Sequence, residues 1–329
     1  MKILIAPLNW GLGHATRCIP LIRQYLTAGD EVVIAGDGDS LRLLRKHFPD
    51  LRSIDLPSLE LRYTQNKAQR GFYLRAIPTL VRHAIGNKYY LHKQLAIEHF
   101  DLVISDNRFG FFTRQTRCVY ITHQLYVILP KRLRWLQPLA RAMHACIYKR
   151  YNEVWVPDYA DPINNLAGAL SHGGRFDRYA KYIGPLSRFS ISQASTPYTL
   201  HHTPTYSTLA ILSGLEPQRT LFEQELITRF KNCTRPVLIV RGKIAGPATA
   251  TQVGAVTLVP HMDDEQLLPL LQQAKKIIVR SGYSTIMDLS VLGLLSKAEF
   301  HPTPGQSEQE YLAQVLMHRL RGFSAVSHS

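Results

Sequence analysis

The sequence lacks several features that would decide its class at once. Its four cysteines are scattered, with no Cys-x-x-Cys pair, which argues against a disulfide framework or zinc site and favours a reducing compartment. No apolar run approaches the ~18–20 residues that a membrane span needs, and the N-terminus does not resemble a signal peptide. Neither repeats nor low-complexity stretches occur. We therefore expect a cytoplasmic globular protein, and 329 residues suffice for two domains.

Acidic residues are scarce in one part of the chain. Residues 62–151 contain 16 Lys or Arg but only 3 Asp or Glu, so they carry +13 of the total net charge of +15. Such a segment favours an anionic partner, which could be membrane lipid, nucleic acid or a phosphorylated substrate, and a merely solvated basic face is the alternative. Aromatic and aliphatic residues alternate with the cations, as is typical of a helix lying on a membrane surface, and no nucleic-acid-binding module is visible. The residues assigned to this membrane or acceptor surface are Arg70, Arg75, Arg82, Lys131, Arg132, Arg134 and Trp135.

Short apolar runs alternate with helical patterns along both halves of the chain. Runs at 2–7, 31–36 and 101–105 predict buried strands, and the alternation predicts an α/β fold with parallel sheets. We place a first domain at 1–186, a linker at 187–206 and a second domain at 207–329. Two Rossmann-like, doubly wound domains would bind ligand in a central cleft at the carboxyl ends of their strands.

The first turn after a strand carries the leading catalytic candidate. Gly11 and Gly13 allow the backbone to turn tightly before His14, which opens a helix. A helix N-terminus lowers the pKa of an imidazole and favours the neutral form that a general base requires. A capping or structural histidine is the alternative. The turn lacks the full Gly-x-Gly-x-x-Gly pattern, which argues against a plain dinucleotide fold.

Two further strand ends bring polar side chains toward the same edge of the predicted sheet. Asp106 closes the strand 101–105, where it could orient His14, act as the base itself or cap the next helix. His123 ends the following strand and is a weaker candidate. A histidine, a carboxylate and a second histidine at one edge favour an enzyme.

The second half contains two turns that are typical of phosphate cradles. Ser213-Gly214 and Ser281-Gly282 each follow a strand and lead into a helix, whose free N–H groups and dipole attract anions. Arg219 and Arg241 could add positive charge. Met262 lies on a loop that could read the edge of a base, although simple helix capping is the alternative for the Asp263-Asp264 pair that follows it.

Together these motifs resemble the GT-B-fold nucleotide-sugar glycosyltransferases of the family that includes MurG, a family 28 type. The resemblance covers both halves and is strongest at 11–17, 280–282 and 302–313. It implies that the first domain takes the acceptor and the second takes the donor, usually a UDP-sugar. It also implies inverting chemistry with no cofactor and no obligate metal.

Site residues on the donor side follow from the same resemblance. Asp288 matches a carboxylate that holds the ribose hydroxyls, a position often occupied by Glu. Gln309 and Glu310 match a pair that contacts the donor sugar, where the second residue is commonly Gln. The strand before Pro302 departs from the pattern because it carries Lys, Glu and His, so it is either exposed or weakened. The full set of donor-side candidates is Gly11, Gly13, Ser213, Gly214, Arg219, Arg241, Met262, Ser281, Gly282, Thr285, Asp288, Gln306, Gln309 and Glu310.

The expected function is therefore sugar transfer from a nucleotide sugar to a hydroxyl acceptor. The acceptor could be lipid-linked and used in cell-envelope glycan synthesis, with the protein peripheral on the cytoplasmic membrane face. His14 or Asp106 would act as base, and backbone N–H groups and Arg would stabilise the diphosphate leaving group. A nucleotide-sugar hydrolase or epimerase of the same fold is one alternative. A non-catalytic, basic nucleotide- or nucleic-acid-binding protein is the other, although no specific nucleic acid is expected.

Overall fold

The computed structural model describes residues 1–57, 72–189, 206–244 and 249–326, with side chains from residue 78 in the helix that begins at Phe72 and up to residue 320 in the last helix. The chain divides into two compact units, with the boundary between Leu186 and Ser187. Each unit is an α/β layer structure built on one sheet, as the alternating apolar runs predict.

The first unit contains a seven-stranded sheet in which every described pairing is parallel. Its strands are β1 (Lys2–Pro7), β2 (Glu31–Gly36), β3 (Ser53–Asp55), β4 (Leu102–Asp106), β5 (Arg117–Ile121), β6 (Glu153–Val156) and β7 (Ala180–Tyr182). They lie in the order β3-β2-β1-β4-β5-β6-β7. The order reverses direction between β1 and β4, and such a switch point is where doubly wound sheets bind ligands.

Four α-helices are described in this unit: α1 (Gly13–Thr27), α2 (Gly38–His47), α3 (Phe72–Leu95) and α4 (Gln137–Tyr148). The sequence predicts a helical stretch over 132–151. The structure is helical over most of this range but divides it into a 3-10 helix, Lys131–Leu136, and α4, which follows directly. Pro138 explains the break, because proline lacks an N–H group and is accommodated only in the first turn of an α-helix.

The second unit contains a six-stranded sheet. Its strands are β8 (Thr208–Ile211), β9 (Val237–Val240), β10 (Thr251–Val253), β11 (Val256–Val259), β12 (Lys276–Val279) and β13 (Ala298–Phe300), in the order β10-β11-β9-β8-β12-β13. All pairings are parallel except β10 with β11, a short hairpin that the sequence pattern did not predict. Here the order switches direction between β8 and β12.

The helices of the second unit are α5 (Gln218–Phe230), α6 (Asp264–Gln273), α7 (Tyr283–Val291) and α8 (Ser307–Val326). The polar strand before Pro302 is β13, and it lies at the edge of the sheet. Glu299 on this strand pairs with Arg229, Lys276 and His301. The strand is half-buried, with Phe300 buried, and its edge position lets the charged side chains reach solvent and each other.

Candidate functional site

The loop from β1 to α1 brings His14 to the switch point of the first sheet. Gly11 has a φ of 77°, in the left-handed region that favours glycine, and α1 begins at Gly13. His14 therefore lies in the first turn of α1, and Asp106 ends the neighbouring strand β4. The sheet order explains why residues 92 positions apart in the chain come together.

Four side chains form one polar cluster at this position. His14 Nδ1 lies 3.1 Å from Asp106 Oδ1. Arg17 Nε donates to Asp106 Oδ2 over 2.6 Å, and Arg17 Nη2 forms a short ion pair with the other carboxylate oxygen. Arg17 Nη1 lies 3.2 Å from His123 Nδ1. The three predicted catalytic residues are thus brought together, and Arg17 is the residue that joins them.

Burial sets the charge states of this cluster. Asp106 is fully buried, which alone would raise the pKa of its carboxyl, but Arg17 and His14 outweigh burial and hold that pKa well below its usual range. The pKa of His14 is lowered, first by burial and then by the charge of Arg17. His14 is therefore neutral near pH 7 and able to accept a proton, whereas Asp106 remains ionised and paired.

This geometry favours one of the sequence-based readings of Asp106. A carboxylate with both oxygens bonded to Arg17, and no exposed surface, is a poor base for an incoming hydroxyl group. The same carboxylate is well placed to orient His14. The ring of His14 retains 14% side-chain exposure, and its Nε2 atom has no hydrogen-bond partner among the described residues.

A second buried ion pair lies near the same carboxyl ends of the strands. Arg108 pairs with Asp37 and donates to the carbonyl of Pro7 over 3.2 Å and to Asn87 Oδ1 over 3.0 Å. These contacts tie the ends of β1, β2 and β4 to α3. The sequence does not predict these roles of Arg17 and Arg108, because their pairing partners are distant in the chain.

In the second unit, both predicted phosphate turns lie at the switch point between β8 and β12. Ser213-Gly214 follows β8, and Gly214 has a φ of 96°. Ser281-Gly282 follows β12, and Gly282 is the residue that precedes α7, which contains Thr285. The N-terminus of α7 therefore lies at the position where the topology predicts a ligand.

The predicted cations of this unit differ in their pairing. Arg219 donates to Glu216 Oε1 over 3.0 and 2.8 Å, and Arg241 donates to both oxygens of Glu223 over 2.8 and 2.7 Å. Both are therefore largely neutralised. Arg280 is only 6% exposed and, among the residues described, no carboxylate pairs with it.

Arg280 is held instead by main-chain oxygens and an aromatic ring. It donates to the carbonyls of Pro302 over 3.0 Å and Gln218 over 3.2 Å, and it lies 3.9 Å from the centre of the Phe222 ring. Burial lowers the pKa of its guanidinium group to about 10, so Arg280 remains charged near pH 7. This fixed positive charge adjoins Ser281-Gly282, and the sequence analysis did not single it out.

Asp288, the predicted ribose ligand, is 7% exposed. Ser187 Oγ donates to its Oδ1 atom over 2.7 Å, and Arg188 Nε donates to its Oδ2 atom over 3.1 Å. Burial raises the pKa of Asp288, which Arg188 and Ser187 oppose. A ribose would have to share or displace these partners, and the ribose role of Asp288 stays a prediction.

The remaining donor-side candidates line the loop and helix after β13. Gln309 Oε1 accepts a hydrogen bond from the Thr303 amide over 2.9 Å, and Glu310 Oε1 accepts one from the Gly305 amide over 3.1 Å. Ser281 Oγ donates to the Gln309 carbonyl over 2.8 Å, which joins the phosphate turn to α8. Gln306 lies in the same loop.

Met262 lies half-buried in the loop before α6. The residue that precedes that helix is Asp263, whose amide donates to Gln266 Oε1 over 3.4 Å, so Asp263 is the capping residue of the Asp263-Asp264 pair. Asp264 is the first helical residue and lies 3.0 Å from Arg188 Nη1.

Comparison with known proteins gives relatives and structures but no matching family model. Over 96% of its length the chain is 22% identical to an uncharacterised glycosyltransferase of Methanosarcina acetivorans and 23% identical to one of Methanosarcina mazei, and it covers 83% of each.

Similar solved structures include a glycosyltransferase of kitacinnamycin (TM-score 0.58, 14% identity, 98% of this chain and 93% of that one). The rhamnosyltransferase SpnG with thymidine diphosphate gives 0.53 at 14% identity, covering 98% of this chain and 92% of that one. A protein named as a UDP-N-acetylglucosamine 2-epimerase from Listeria monocytogenes gives 0.53 at 12% identity, covering 97% and 88%. The chain has the GT-B fold of these glycosyltransferases. The predicted fold is confirmed, and the predicted enzyme class agrees with the names of the curated relatives.

The basic segment of this GT-B-fold protein, residues 62–151, is described only in part. Arg70 lies outside the described residues, as does the side chain of Arg75 in α3. Arg82, Lys131, Arg132 and Arg134 are exposed, and Trp135 is 76% exposed. No helix in the described ranges is long and apolar enough to cross a membrane, and no cluster of metal-ligating side chains occurs in them.

Proposed function

We propose that this glycosyltransferase transfers a sugar from a nucleoside diphosphate sugar, with uridine as the expected base, to a hydroxyl group of an acceptor. The observation that carries the proposal is the contact of His14 with buried, ionised Asp106 at the switch point of the first sheet. A neutral histidine backed by a carboxylate can accept the proton of an attacking hydroxyl group, and the carboxylate stabilises the resulting imidazolium. Direct attack by that oxygen on the anomeric carbon would invert its configuration.

We place the donor diphosphate at the turn before α7. Two features of the second unit support this placement: the buried charge of Arg280, with which no carboxylate pairs among the residues described, and the switch point itself. SpnG, a protein of the same fold, binds thymidine diphosphate. Arg219 and Arg241 contribute less than their sequence positions indicate, because carboxylates already neutralise them.

Replacing Gly282 with Asp should weaken diphosphate binding without disturbing the fold. Gly282 has a φ of −73° and open space at its Cβ position, and aspartate is a favoured residue at this helix position, so the variant should fold normally. Its negative charge would repel a diphosphate, and we expect isothermal titration calorimetry to show UDP binding weakened at least about tenfold, which is ~1.4 kcal/mol.

The matched control is Gly282→Ser, which caps the helix without adding charge and should retain most of the affinity. Unchanged affinity of the aspartate variant would move the diphosphate elsewhere. A panel of UDP, TDP, GDP and ADP on the wild-type protein tests the base, and equal affinity for all four would refute the preference for uridine.

A nucleotide-sugar hydrolase or epimerase is the second candidate. The same His14–Asp106 pair could activate water, and the fold is shared with a protein named as an epimerase. Incubating the protein with UDP-sugars in the absence of an acceptor discriminates the two. Rapid release of free sugar, or formation of an epimer, would favour this candidate over transfer.

We also propose that the first unit docks on an anionic membrane, where a lipid-linked acceptor would be presented. Trp135, Leu139 and Met143 are exposed at four-residue spacing along the 3-10 helix and α4, and Val81, Ile85 and Tyr89 are exposed at the same spacing along α3. Neither α3 nor the segment 131–148 contains an acidic residue, whereas each contains four Lys or Arg. Apolar rows flanked by cations suit the headgroup region.

Replacing Trp135 with Ser should weaken this docking. Burying a large apolar side chain contributes about 1.5–3 kcal/mol, so partition onto vesicles containing phosphatidylglycerol should fall roughly tenfold or more in a sedimentation assay. The control is Ile163→Ser, because Ile163 is 81% exposed in the same unit but outside both rows. Equal binding to neutral vesicles that is insensitive to salt would refute the proposal.

A further inference from the structure

The guanidinium group of Arg17 contacts every other member of the catalytic cluster. Its Nε atom bonds to Asp106, its Nη1 atom lies 3.2 Å from His123 Nδ1, and its Nη2 atom lies 2.9 Å from His14 Nδ1 while also pairing with Asp106. The side chain is 2% exposed, and a buried residue with this many polar contacts has little freedom to move.

These contacts constrain the protons of the two histidines. Arginine has only hydrogen-bond donors, so a ring nitrogen that bonds to it must be an acceptor and carry no proton. A neutral His123 held in this way carries its proton on Nε2. This tautomer requires the side-chain amide of Gln124, which lies 3.5 Å from His123 Nε2, to face the ring with its oxygen.

His14 Nδ1 lies within hydrogen-bond distance of two groups that need it in different protonation states: Arg17 can only donate to it, and Asp106 can only accept from it. Its Nδ1 atom lies 2.9 Å from Arg17 Nη2 and 3.1 Å from Asp106 Oδ1. If Nδ1 accepts from Arg17, the proton of the neutral ring is on Nε2 and the ring cannot take another proton there. If Nδ1 donates to Asp106, Nε2 has a free lone pair. One nitrogen of a neutral ring cannot do both.

We infer that Arg17 is the positioning residue of this site: its guanidinium group holds His14 and His123 in the Nε2–H form, and His14 becomes a base when its Nδ1 bond passes from Arg17 to Asp106. In that exchange the ring releases the Nε2 proton to solvent and takes one proton from solvent at Nδ1, so its charge is unchanged. His14 then takes the proton of the acceptor hydroxyl at Nε2, and Asp106 pairs with the imidazolium.

Only the last step, in which His14 takes the proton of the acceptor hydroxyl, rests on the proposed function. The charged and titratable groups that face His14 are Arg17 on α1, Asp106 on β4 and His123 after β5. Of these, Arg17 lowers the pKa of His14 and Asp106 raises it. If the guanidinium group is removed and a positive charge is kept, His14 Nδ1 therefore bonds to Asp106 in preference to residue 17.

The test is nitrogen NMR of the whole protein labelled at histidine, which reports the protonation of each ring nitrogen without substrate. His14→Gln and His123→Gln spectra assign the resonances. In the wild-type protein, at a pH where both rings are neutral, we expect Nδ1 to be unprotonated in both. In Arg17→Lys the ammonium group can pair with Asp106 but cannot fork to both rings. His14 should then shift to the Nδ1–H form, and its pKa should rise.

A structural role alone would lower stability without moving these signals. The unfolding of Arg17→Lys is followed by tryptophan fluorescence, because all three tryptophans (Trp10, Trp135 and Trp155) lie in the first unit. If that variant does not fold, the wild-type spectrum decides: a proton on Nδ1 of both neutral rings overturns the inference. An unchanged His14 signal in folded Arg17→Lys also overturns it. Neither result depends on turnover, so failure of the proposed function would be seen separately.

Discussion

Replacing His14 with Ala is expected to lower kcat for sugar transfer by roughly 10²–10⁴-fold, the range that a positioned general base contributes. His14 is the one member of the cluster whose outer nitrogen has no bond within the part of the chain that the structure describes. The nucleotide should still bind the variant with unchanged affinity in calorimetry, because the donor-side candidates at the β8–β12 switch point lie in the second unit.

The pH dependence of kcat should report the same group. A base must be neutral, and both burial and Arg17 lower the pKa of His14 below the 6.5 of an ordinary histidine. Activity should therefore persist below pH 6.5 and be lost only as the pH falls through the lowered pKa of His14. This acid limb should disappear from the residual rate of His14→Ala.

The matched control is His99→Ala. His99 lies in the same unit and also contacts an aspartate, Asp101, but its side chain is 76% exposed and it precedes β4, at the opposite end of that strand from Asp106. Its substitution should leave kcat unchanged. Full turnover of His14→Ala would remove His14 from the mechanism, and the role would not pass readily to Asp106, whose carboxylate is buried and bonded to Arg17 on both oxygens.

The fold and the turns at the switch points could be predicted from local sequence patterns. A Gly turn after an apolar run fixes where a strand ends and a helix begins, so residues 11–14 and 281–282 could be placed from sequence. The same reasoning predicts that Asp106 reaches the edge where His14 lies, because carboxyl ends of parallel strands share one edge. Both placements depend on short-range geometry.

Pairing between distant side chains could not be read in this way. The bond of Arg17 to Asp106 joins positions 89 residues apart, and that of Arg188 to Asp288 joins positions 100 apart. The local sequence pattern does not distinguish an arginine that is available to bind a phosphate from one that is already paired with a carboxylate. This is why Arg219 and Arg241 were selected as donor ligands while Arg280, which no described carboxylate neutralises, was not.

Replacing Asp106 with Asn should destabilise the first unit by about 3–5 kcal/mol, because breaking a buried ion pair leaves an uncompensated charge on Arg17. Urea unfolding followed by tryptophan fluorescence measures this loss in the first unit. The pKa of the Asp106 carboxyl is depressed in the folded protein, so its stabilisation is present above the unfolded value of about 3.9 and is lost as the pH falls toward the folded pKa. The difference between wild type and variant should therefore shrink below about pH 4.

The matched control for this substitution is Asp37→Asn. Asp37 and Arg108 form a second ion pair, equally buried, in the same unit, and Asn is as good as Asp at the start of α2. We expect a stability loss of the same order but no change in the signals of His14 and His123, since Asp37 acts on a different histidine, His83. Asp106→Asn alone should remove the partner of the His14 imidazolium and lower kcat in addition.

If both variants lost only stability, Asp106 would be a structural counter-ion of Arg17 and the base would act without it. If both lost activity equally, the loss would reflect disturbed folding of the β1–β4 edge. Only an activity loss confined to Asp106→Asn assigns the carboxylate to the chemistry of His14.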